Sequence, residues 1–272
     1  MQIENHQIDK QVFIIAEIGN NHEGDFELAK DLIQLASESG ANAVKFQTIV
    51  PEKLIPKNQI DRLNQLEKYR LTYEQFRELS DVARKKEVIF LSTPFDIESA
   101  LFLNEIVSAF KVSSGDNNFF PLLTTIANTG KPIIMSTGMM NLSEVNYSVN
   151  FIEDYWKNKK INQEIALLHC VSCYPTKFSE ANLSKIISLK EYSNIVGYSD
   201  HTNSFLPSYL AVSRGACIVE KHITLDYNIR DAQDWKVSAG PDNFEEFVKN
   251  LKMIKPILGE EKKKLKIVKK LQ

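Results

Sequence analysis

Two histidines follow apolar stretches of the sequence, each within two residues of a carboxylate. His201 lies in VGYSDHT, directly after Asp200, and His222 lies in CIVEKHIT, two residues after Glu220. A lone histidine in such a setting is more often a satisfied core residue than a ligand. This pair is spaced by about one strand–helix repeat, and it favours a divalent metal site of two imidazoles with positions open for water and substrate.

A second group of polar residues lies at other strand ends. Lys45 and Lys111 fall within apolar, strand-like stretches, and hydroxyl groups occur at Thr93, Ser114 and Ser136. Each alone has an ordinary explanation, because a lysine can extend its charge to solvent and a serine or threonine can cap the next helix. Together they indicate a site for a small, multiply charged anion, since buried charges need partners and lysine with hydroxyls suits a phosphate or carboxylate.

Eight strand-like stretches must position these residues. Each is a short, nearly continuous apolar run, as expected for a parallel strand buried on both faces, and helical patterns lie between them. They predict a TIM-type (β/α)8 barrel with a single domain, in which chemistry gathers where the strands end; a doubly wound open sheet is the alternative. The predicted strands are VFIIAEIG (12–19), AVKFQT (43–48), VIFLSTP (88–94), FKVSSG (110–115), PIIMST (132–137), IALLHC (165–170), NIVGYSD (194–200) and CIVEKHIT (217–224).

The segments between the strands carry clear helix signals and one long connection. Asp25 is the expected N-cap of the helix after the first strand, Ser143 that of the helix after the fifth, and residues 244–254 form a third helix. Residues 49–71 connect the second strand to its helix. Because long connections in compact domains are usually functional, we expect this segment to form a lid or a wall of the substrate site.

The composition excludes several classes of protein. The chain of 272 residues has 33 basic and 35 acidic side chains and a net charge of −2. This balance provides no basic surface for nucleic acid or for an anionic membrane. The apolar runs are too short to span a bilayer, and the polar N-terminus lacks the apolar core of a signal peptide.

Three cysteines do not form a disulfide framework, and the C-x-x-C at Cys170 and Cys173 has no second copy to complete a zinc site. We therefore expect a cytoplasmic protein.

The strand ends carry a series of short motifs. They are AEIGNNHEGD (16–25), VKFQT (44–48), STPFD (92–96), KVSSGD (111–116), STGM (136–139), HCVSCYPT (169–176), SDH (199–201) and EKHIT (220–224). This series resembles the sialic acid synthases, which include the pseudaminic acid, legionaminic acid and spore-coat polysaccharide enzymes. The resemblance covers nearly the whole chain in the same order. It implies condensation of phosphoenolpyruvate with an N-acylhexosamine or related aldose, with release of phosphate and with Mn²⁺ or another divalent cation as cofactor.

The same resemblance implies roles for individual residues. His201 and His222 would bind the metal, which polarises the aldehyde of the sugar, so His201 is also a catalytic candidate. Glu17 or Asp234 would move protons between the new hydroxyl and water. Phosphoenolpyruvate would be held by Lys45, Thr93, Lys111, Ser114, Ser136 and Ser199, and the sugar by Glu17, Gln47, Asp116, Ser172, Tyr174 and Asp234.

Three departures from the family's pattern fall on the sugar side. Ser172 stands where the family commonly has Asn, and Asp116 stands where it commonly has Glu. NIRDAQ at residues 228–233 replaces an Arg-Pro-Gly-Pro-like segment before Asp234. The phosphate-side residues are retained, so we expect the same chemistry on a different sugar.

The C-terminal region also departs from the family's usual architecture. Sialic acid synthases follow the barrel with a small antifreeze-like domain that lends an arginine to the sugar site of the partner subunit. Here we expect the barrel to span residues 1–258 and to be followed by a lysine-rich tail, 259–272, which is too poor in large apolar residues to form a core. We therefore expect no antifreeze-like domain in this chain, a homodimer formed through barrel helices, weak sugar binding, and rescue by an antifreeze-like domain supplied separately.

Two other classes of protein stay open at this point. A metal-dependent barrel aldolase or isomerase also needs two histidines and carboxylates, although it does not need the lysine and hydroxyl set. A non-catalytic sugar-binding relative would have lost the metal ligands or Glu17, and both are present.

Substitution of the histidines tests the predicted metal site. His201→Ala or His222→Ala should abolish turnover and the binding of Mn²⁺ while the fold persists, because ligands at strand ends contribute little to the core. Circular dichroism reports the fold, and titration with Mn²⁺ reports the site. Full activity of the double variant after removal of metal would contradict the assignment.

Overall fold

The computed structural model describes residues 1–228 and 234–259, which form a short hairpin followed by a ring of eight parallel strands. The hairpin consists of β1 (Gln2–Ile3) and β2 (His6–Gln7). The ring consists of β3 (Phe13–Gly19), β4 (Ala43–Thr48), β5 (Ile89–Pro94), β6 (Phe110–Val112), β7 (Ile133–Ser136), β8 (Ile165–Cys170), β9 (Ile195–Asp200) and β10 (Ile218–His222).

The strands pair in parallel in the order β5-β4-β3-β10-β9-β8-β7-β6. β5 and β6, at the two ends of this order, lie side by side and complete the ring. The eight stretches predicted from the sequence all form strands of this ring. The prediction of a TIM-type (β/α)8 barrel is therefore confirmed.

Helices surround the ring. Asp25 caps the helix after β3, as predicted, because its carboxylate accepts hydrogen bonds from the backbone N–H groups of Glu27 and Leu28. None of the helices in the described part of the chain is long and apolar enough to cross a membrane. The helices are α1 (Phe26–Glu38), α2 (Pro51–Leu54), α3 (Ile60–Tyr69), α4 (Tyr73–Lys85), α5 (Ile97–Leu103), α6 (Phe120–Asn128), α7 (Leu142–Lys159), α8 (Lys185–Leu189), α9 (Leu206–Ser213) and α10 (Phe244–Leu258).

The prediction that Ser143 caps α7 is wrong, because Asn141 is the cap. The Asn141 side-chain oxygen accepts a hydrogen bond from the Glu144 N–H at 3.0 Å, and the Glu144 carboxylate accepts one from the Asn141 N–H at 2.7 Å. This reciprocal arrangement is a capping box, which satisfies two backbone donors at once. The Ser143 hydroxyl donates to the same Asn141 oxygen at 2.5 Å and so supports the cap.

Residues 49–71 form a structured insertion rather than an open loop. The segment contains α2 and α3 and follows β4, at the end of the barrel where the polar side chains gather. Gly24, in the turn after β3, has a φ of +84°, and a β-carbon there would lie 2.0 Å from the carbonyl oxygen of Lys68 in α3. Glycine is therefore required for this close approach, which seats α3 against the turn after β3.

The barrel interior changes from apolar to polar along its axis. Alternate residues of each strand point inward, and the inward residues nearest the strand starts are apolar. They pack with side chains of the hairpin, which closes this end of the ring. We call this cluster the apolar floor; it consists of Met1, Ile3, Ile8, Phe13, Ile15, Ala43, Ile89, Leu91, Ala109, Ile134, Ala166, Leu168, Ile195 and Ile218.

Buried His22 should make the stability of the fold depend on pH. Its Nδ1 accepts a hydrogen bond from the Gly24 N–H at 3.0 Å, and burial lowers its pKa from 6.5 to about 4. The unfolded chain therefore binds a proton at pH values where the native chain does not. The contribution of His22 is fully present above about pH 6.5 and is lost as the pH falls towards 4, with a decrease of about 2 kcal/mol between pH 7 and pH 5.

Denaturant unfolding at these two pH values measures this effect. In His22→Gln the free energy of unfolding should fall less between pH 7 and pH 5 than in wild type, because the amide does not titrate. Equal decreases in the two proteins would contradict the assignment.

Candidate active site

Polar side chains occupy the inward positions at the carboxyl ends of the strands, above the apolar floor. They line a cavity of about 280 Å³ at the barrel mouth. All eight strands of the ring, or the loops that follow them, contribute to it. The predicted site residues that line this cavity are Glu17, Lys45, Gln47, Thr93, Lys111, Ser114, Ser136, Ser172, Tyr174, Ser199, His201 and His222.

Two lysines and two carboxylates meet at the base of this cavity. The Lys45 ammonium group lies 2.7 Å from Glu17 and 3.7 Å from Glu220. The Lys111 ammonium group lies 3.7 Å from the other oxygen of Glu220. Glu220 therefore lies between the two lysines, and the Ser199 hydroxyl donates a hydrogen bond to it at 2.8 Å.

Each lysine also contacts a hydroxyl group of the neighbouring strand. Lys45 donates to Thr93 Oγ1 at 3.1 Å. Lys111 donates to Ser136 Oγ at 2.7 Å and to the Val112 carbonyl oxygen at 3.3 Å. An ammonium group has three donors. Lys45 uses two of them, on Thr93 and Glu17, and Lys111 also uses two, on Ser136 and the Val112 carbonyl. Each lysine therefore keeps one further donor for a ligand.

Burial and mutual contacts set the pKa values of these groups. Burial raises the pKa of Glu17 to about 7, and the Lys45 ammonium offsets this effect only in part. Burial acts in the same direction on Glu220, but the ammonium groups of Lys111 and Lys45 outweigh it and hold the pKa of Glu220 well below its usual range. Burial lowers the pKa of Lys111, whereas Glu17 and Glu220 together raise that of Lys45 against the effect of burial. Glu17 is thus the carboxylate that can exchange a proton near neutral pH.

A cluster of small donor groups surrounds Gly138, in the loop after β7. A β-carbon at this position would lie 2.6 Å from the hydroxyl oxygens of both Ser114 and Ser172 and 2.8 Å from the Cys170 sulfur. Ser114 Oγ and Cys170 Sγ are themselves 3.0 Å apart. Two hydroxyls and a thiol therefore pack directly against the Gly138 backbone, and a side chain at this position would displace them.

The two predicted metal ligands lie close together at the mouth, with ring centroids 5.8 Å apart. His201 Nδ1 lies 2.8 Å from the Val171 carbonyl oxygen and so must carry the proton. Its Nε2 is then an acceptor directed into the cavity, where the Tyr174 hydroxyl donates to it at 2.9 Å. His222 Nδ1 is buried without a hydrogen-bond partner among the described residues, 3.9 Å from a carboxylate oxygen of Asp234.

This histidine pair fits a divalent metal ion. Burial lowers the pKa of His201 to about 4 and that of His222 to about 3, so both rings are neutral at pH 7 and can offer a nitrogen lone pair. The unpartnered His222 Nδ1 is a buried polar atom that a bound ion would satisfy. Within residues 1–228 and 234–259, no three His, Cys, Asp or Glu side chains are grouped to hold a metal by themselves. Water or substrate would therefore complete the coordination.

Two predicted site residues do not line the cavity. Asp116 lies beyond β6, where it accepts a hydrogen bond from the Ser113 hydroxyl at 2.5 Å, and burial raises its pKa. Asp234 begins a short 3-10 helix beside His222, and burial raises its pKa too. The segment before Asp234, residues 229–233, and the predicted tail beyond residue 259 lie outside the described residues.

Sequence reasoning missed several contributors to this site. Glu220 was considered only as a carboxylate near His222, although the two-residue alternation that points His222 inward applies to Glu220 as well. Cys170 of the C-x-x-C motif was also missed. It lines the cavity, whereas Cys173 is exposed, and both are free thiols. The close packing around Gly138 had no sequence signal, because it brings Ser114, from the loop after β6, against Cys170 and Ser172, from β8 and the loop after it.

Comparison with known proteins agrees with this geometry. The sequence profile of the NeuB family matches residues 32–263. The chain belongs to the NeuB family. An N,N'-diacetyllegionaminic acid synthase of Campylobacter jejuni is 40% identical over 270 residues, which cover 94% of this chain and 80% of that protein. A pseudaminic acid synthase of the same species is 35% identical over 277 residues, covering 96% of this chain and 79% of that protein.

A solved structure of a family relative has the same fold. It is an N-acetylneuraminic acid (sialic acid) synthetase from Leptospira borgpetersenii in complex with citrate, and it superposes with a TM-score of 0.92 at 35% identity. The match covers 98% of this chain and 92% of that one. The predicted resemblance to the sialic, pseudaminic and legionaminic acid synthases of the NeuB family is therefore confirmed.

The close packing at Gly138 provides a direct test of the site. Gly138→Ala should weaken the binding of phosphoenolpyruvate, the substrate that the resemblance implies, by about ten-fold or more, because the added methyl group would displace the cavity-lining side chains of Ser114, Ser172 and Cys170. Isothermal titration measures this binding. Gly115→Ala is the matched control, since Gly115 lines the cavity itself but its β-carbon would meet no atom closer than 3.6 Å. Equal affinities of the two variants would show that the side chains packed against Gly138 bind no part of the substrate.

Proposed function

We propose that this NeuB-family protein condenses phosphoenolpyruvate with an N-acylhexosamine or a related aldose, giving a nonulosonic acid and phosphate. The observation that carries the proposal is the polar end of the barrel, where two buried lysines with their hydroxyl partners lie beside a pair of neutral histidines. The names of the relatives, which are synthases of legionaminic and pseudaminic acid, agree with it.

Phosphoenolpyruvate carries a phosphate and a carboxylate, so its site needs cations and hydrogen-bond donors. Lys45 and Lys111 supply two ammonium groups, each with a donor left for the substrate. Ser114 supplies a hydroxyl group at the cavity wall, beside Gly138. Glu220 keeps both ammonium groups directed at one point and balances their charge.

The reaction joins C3 of phosphoenolpyruvate to the aldehyde carbon of the sugar. Water then adds at C2, and phosphate leaves as the C2–O bond breaks. A divalent cation such as Mn²⁺, held by His201 and His222, would supply Lewis-acid polarisation of the aldehyde oxygen. Glu17 can give a proton to the former aldehyde oxygen, which becomes the new hydroxyl, or accept one from the attacking water, since its pKa of about 7 allows both. Asp234 is the other candidate for this role, because it lies beside His222 and burial raises its pKa.

The sugar is assigned to the rim of the cavity, where the chain departs from the family's pattern. Gln47 is held in place there, because Asn20 donates to its amide oxygen at 2.9 Å and its own amide nitrogen donates to Glu17 at 3.4 Å. Tyr174 and Ser172 follow β8, across the ring from Gln47, and also line the cavity; Ser172 is shorter than the Asn common in the family. We infer that the acceptor sugar differs in its substituents from N-acetylmannosamine-type substrates.

A substrate panel tests the proposed reaction. The protein is incubated with phosphoenolpyruvate, Mn²⁺ and a set of hexoses and hexosamines, and phosphate release and product mass are recorded. We expect phosphate release that depends on one sugar class, with a product whose mass equals the sum of sugar, phosphoenolpyruvate and water less phosphoric acid. Phosphate release without that product, or no release with any sugar, would contradict the proposal.

A lysine variant in the same assay tests the anion site. Lys111→Ala should lower kcat/KM for phosphoenolpyruvate by about ten- to a hundred-fold, since a hydrogen bond to a charged group contributes about 1.5–3 kcal/mol. Lys131→Ala is the control. Lys131 donates to backbone carbonyl oxygens of Asn104 and Val107 before β7 begins, at the other end of the barrel, so kcat/KM should not change.

A further inference from the structure

Two charged side chains lie buried on the outer face of the barrel strands, next to the two histidines. Asp200 precedes His201 and is 0% exposed, and Lys221 precedes His222 and is 2% exposed. Because successive residues of a strand point to opposite faces, the histidines face the barrel mouth whereas Asp200 and Lys221 face the surrounding helices. Neither charged residue lines the cavity.

Asp200 closes a tight turn around His201. Its Oδ1 accepts hydrogen bonds from the backbone N–H and from the hydroxyl of Thr202, both at 2.8 Å. Its Oδ2 accepts one from the hydroxyl of Ser208, in α9, at 2.6 Å. One carboxylate therefore holds the backbone after His201 and is itself anchored to a helix.

Lys221 connects this turn to the neighbouring strand. β9 and β10 pair with Lys221 opposite Asp200. The Lys221 ammonium group donates to the carbonyl oxygen of Thr202 at 2.6 Å and lies 3.6 Å from Asp200 Oδ1. Thr202 is thus bonded both to the residue that precedes His201 and to the residue that precedes His222.

A gain in stability does not account for this buried pair. Removing two charges from water costs about as much as their mutual attraction returns, and well-packed apolar residues often serve a fold equally well. The layer around the pair is otherwise largely apolar, with Tyr198, Val219 and Val212 in the same core cluster. The two charged residues share one feature. Each is directly followed in the chain by a histidine of the candidate metal site.

We propose that Asp200 and Lys221 are positioning residues that set the separation of the His201 and His222 rings for a divalent metal ion. The inference rests on the proposed function, in which these two histidines bind the metal. The contact of His201 with the Val171 carbonyl sets the rotation of one ring. The contacts of Asp200 and Lys221 set the distance between the rings, because they tie the turn at His201 to the end of β10.

Metal binding by a lysine variant tests this inference without reference to turnover. Wild type and Lys221→Met are titrated with Mn²⁺, and free Mn²⁺ is measured by electron paramagnetic resonance. We expect Mn²⁺ to bind Lys221→Met at least about ten-fold more weakly, as is usual when residues that orient metal ligands are changed. Lys131→Met is the matched control, because Lys131 also donates to backbone carbonyl groups but lies far from the histidines along the barrel axis, and it should bind Mn²⁺ as wild type does.

A double variant addresses the chance that Lys221→Met unfolds because Asp200 loses its partner. Asp200→Asn/Lys221→Met removes both charges and should fold. It lacks the hydrogen bond to the Thr202 carbonyl, so its affinity for Mn²⁺ should also be at least about ten-fold weaker. Wild-type affinity in either folded variant would overturn the inference. Failure of both to fold, seen by circular dichroism, would overturn it as well, since the pair would then serve the fold itself.

Further measurements separate this inference from the proposed function. Binding of phosphoenolpyruvate should be unchanged in Lys221→Met, because Lys45 and Lys111 are untouched. A wild type that does not condense phosphoenolpyruvate with any sugar, but whose Mn²⁺ affinity depends on Lys221, would contradict the function and support the positioning role. A wild type that condenses phosphoenolpyruvate with a sugar, but whose Mn²⁺ affinity does not depend on Lys221, would support the function and contradict the positioning role. A wild type that binds no Mn²⁺ would overturn the positioning role.

Discussion

The balance of buried charge at the barrel mouth is the constraint on which the rest of the site depends. Lys45 and Lys111 are almost completely buried, and an unpaired ammonium group in such a place would be strongly destabilising. Glu220 is an ion-pair partner of both lysines, and Glu17 is a second ion-pair partner of Lys45. Because Glu220 is shared, it also keeps β4, β6 and β10 in one geometry. The lysines are therefore held in position for a small anion before it arrives.

The fold supplies the conditions under which these charges can act. Parallel strands bring all carboxyl ends to the same side, so residues far apart in the chain meet there. The apolar floor keeps water from the opposite side, and a low local dielectric strengthens each interaction above it. Gly197 shows how little spare room remains inside the ring, since a β-carbon there would lie 2.4 Å from a side-chain carbon of Leu168. Function is thus confined to one end of a closely packed barrel.

The resemblance implies that one half of the site follows the family's pattern and that the other half departs from it. The lysines and hydroxyls of the proposed phosphoenolpyruvate site belong to the first half, and each lysine has buried hydrogen-bond or ion-pair partners. Ser172 and Asp116, which depart from that pattern, lie in the loops after β8 and β6 and form no ion pair with the two lysines. The proposed change of sugar therefore needs no change in the groups that hold Lys45 and Lys111.

The sequence by itself determined the eight strands, the barrel and the inward-facing Lys45, Lys111, His201 and His222. These features follow from local patterns, because apolar runs mark buried strands and polar residues at their ends stand out against them. The helix caps were predicted less well. Asp25 was found, whereas Asn141 was missed, although an Asn followed three residues later by Glu is the sequence signature of a capping box. The helices within residues 49–71 were missed as well, since α3 has few apolar residues and is held by its contact with the turn at Gly24.

Only the tertiary structure decided which charges meet. Glu220 lies between Lys45 and Lys111, Lys221 reaches the turn at His201, and three side chains converge on Gly138. Each of these contacts joins residues from different strands or from the loops that follow them. No pattern along the chain encodes the distance between them, because that distance is set by the pairing register of the strands and the closure of the ring.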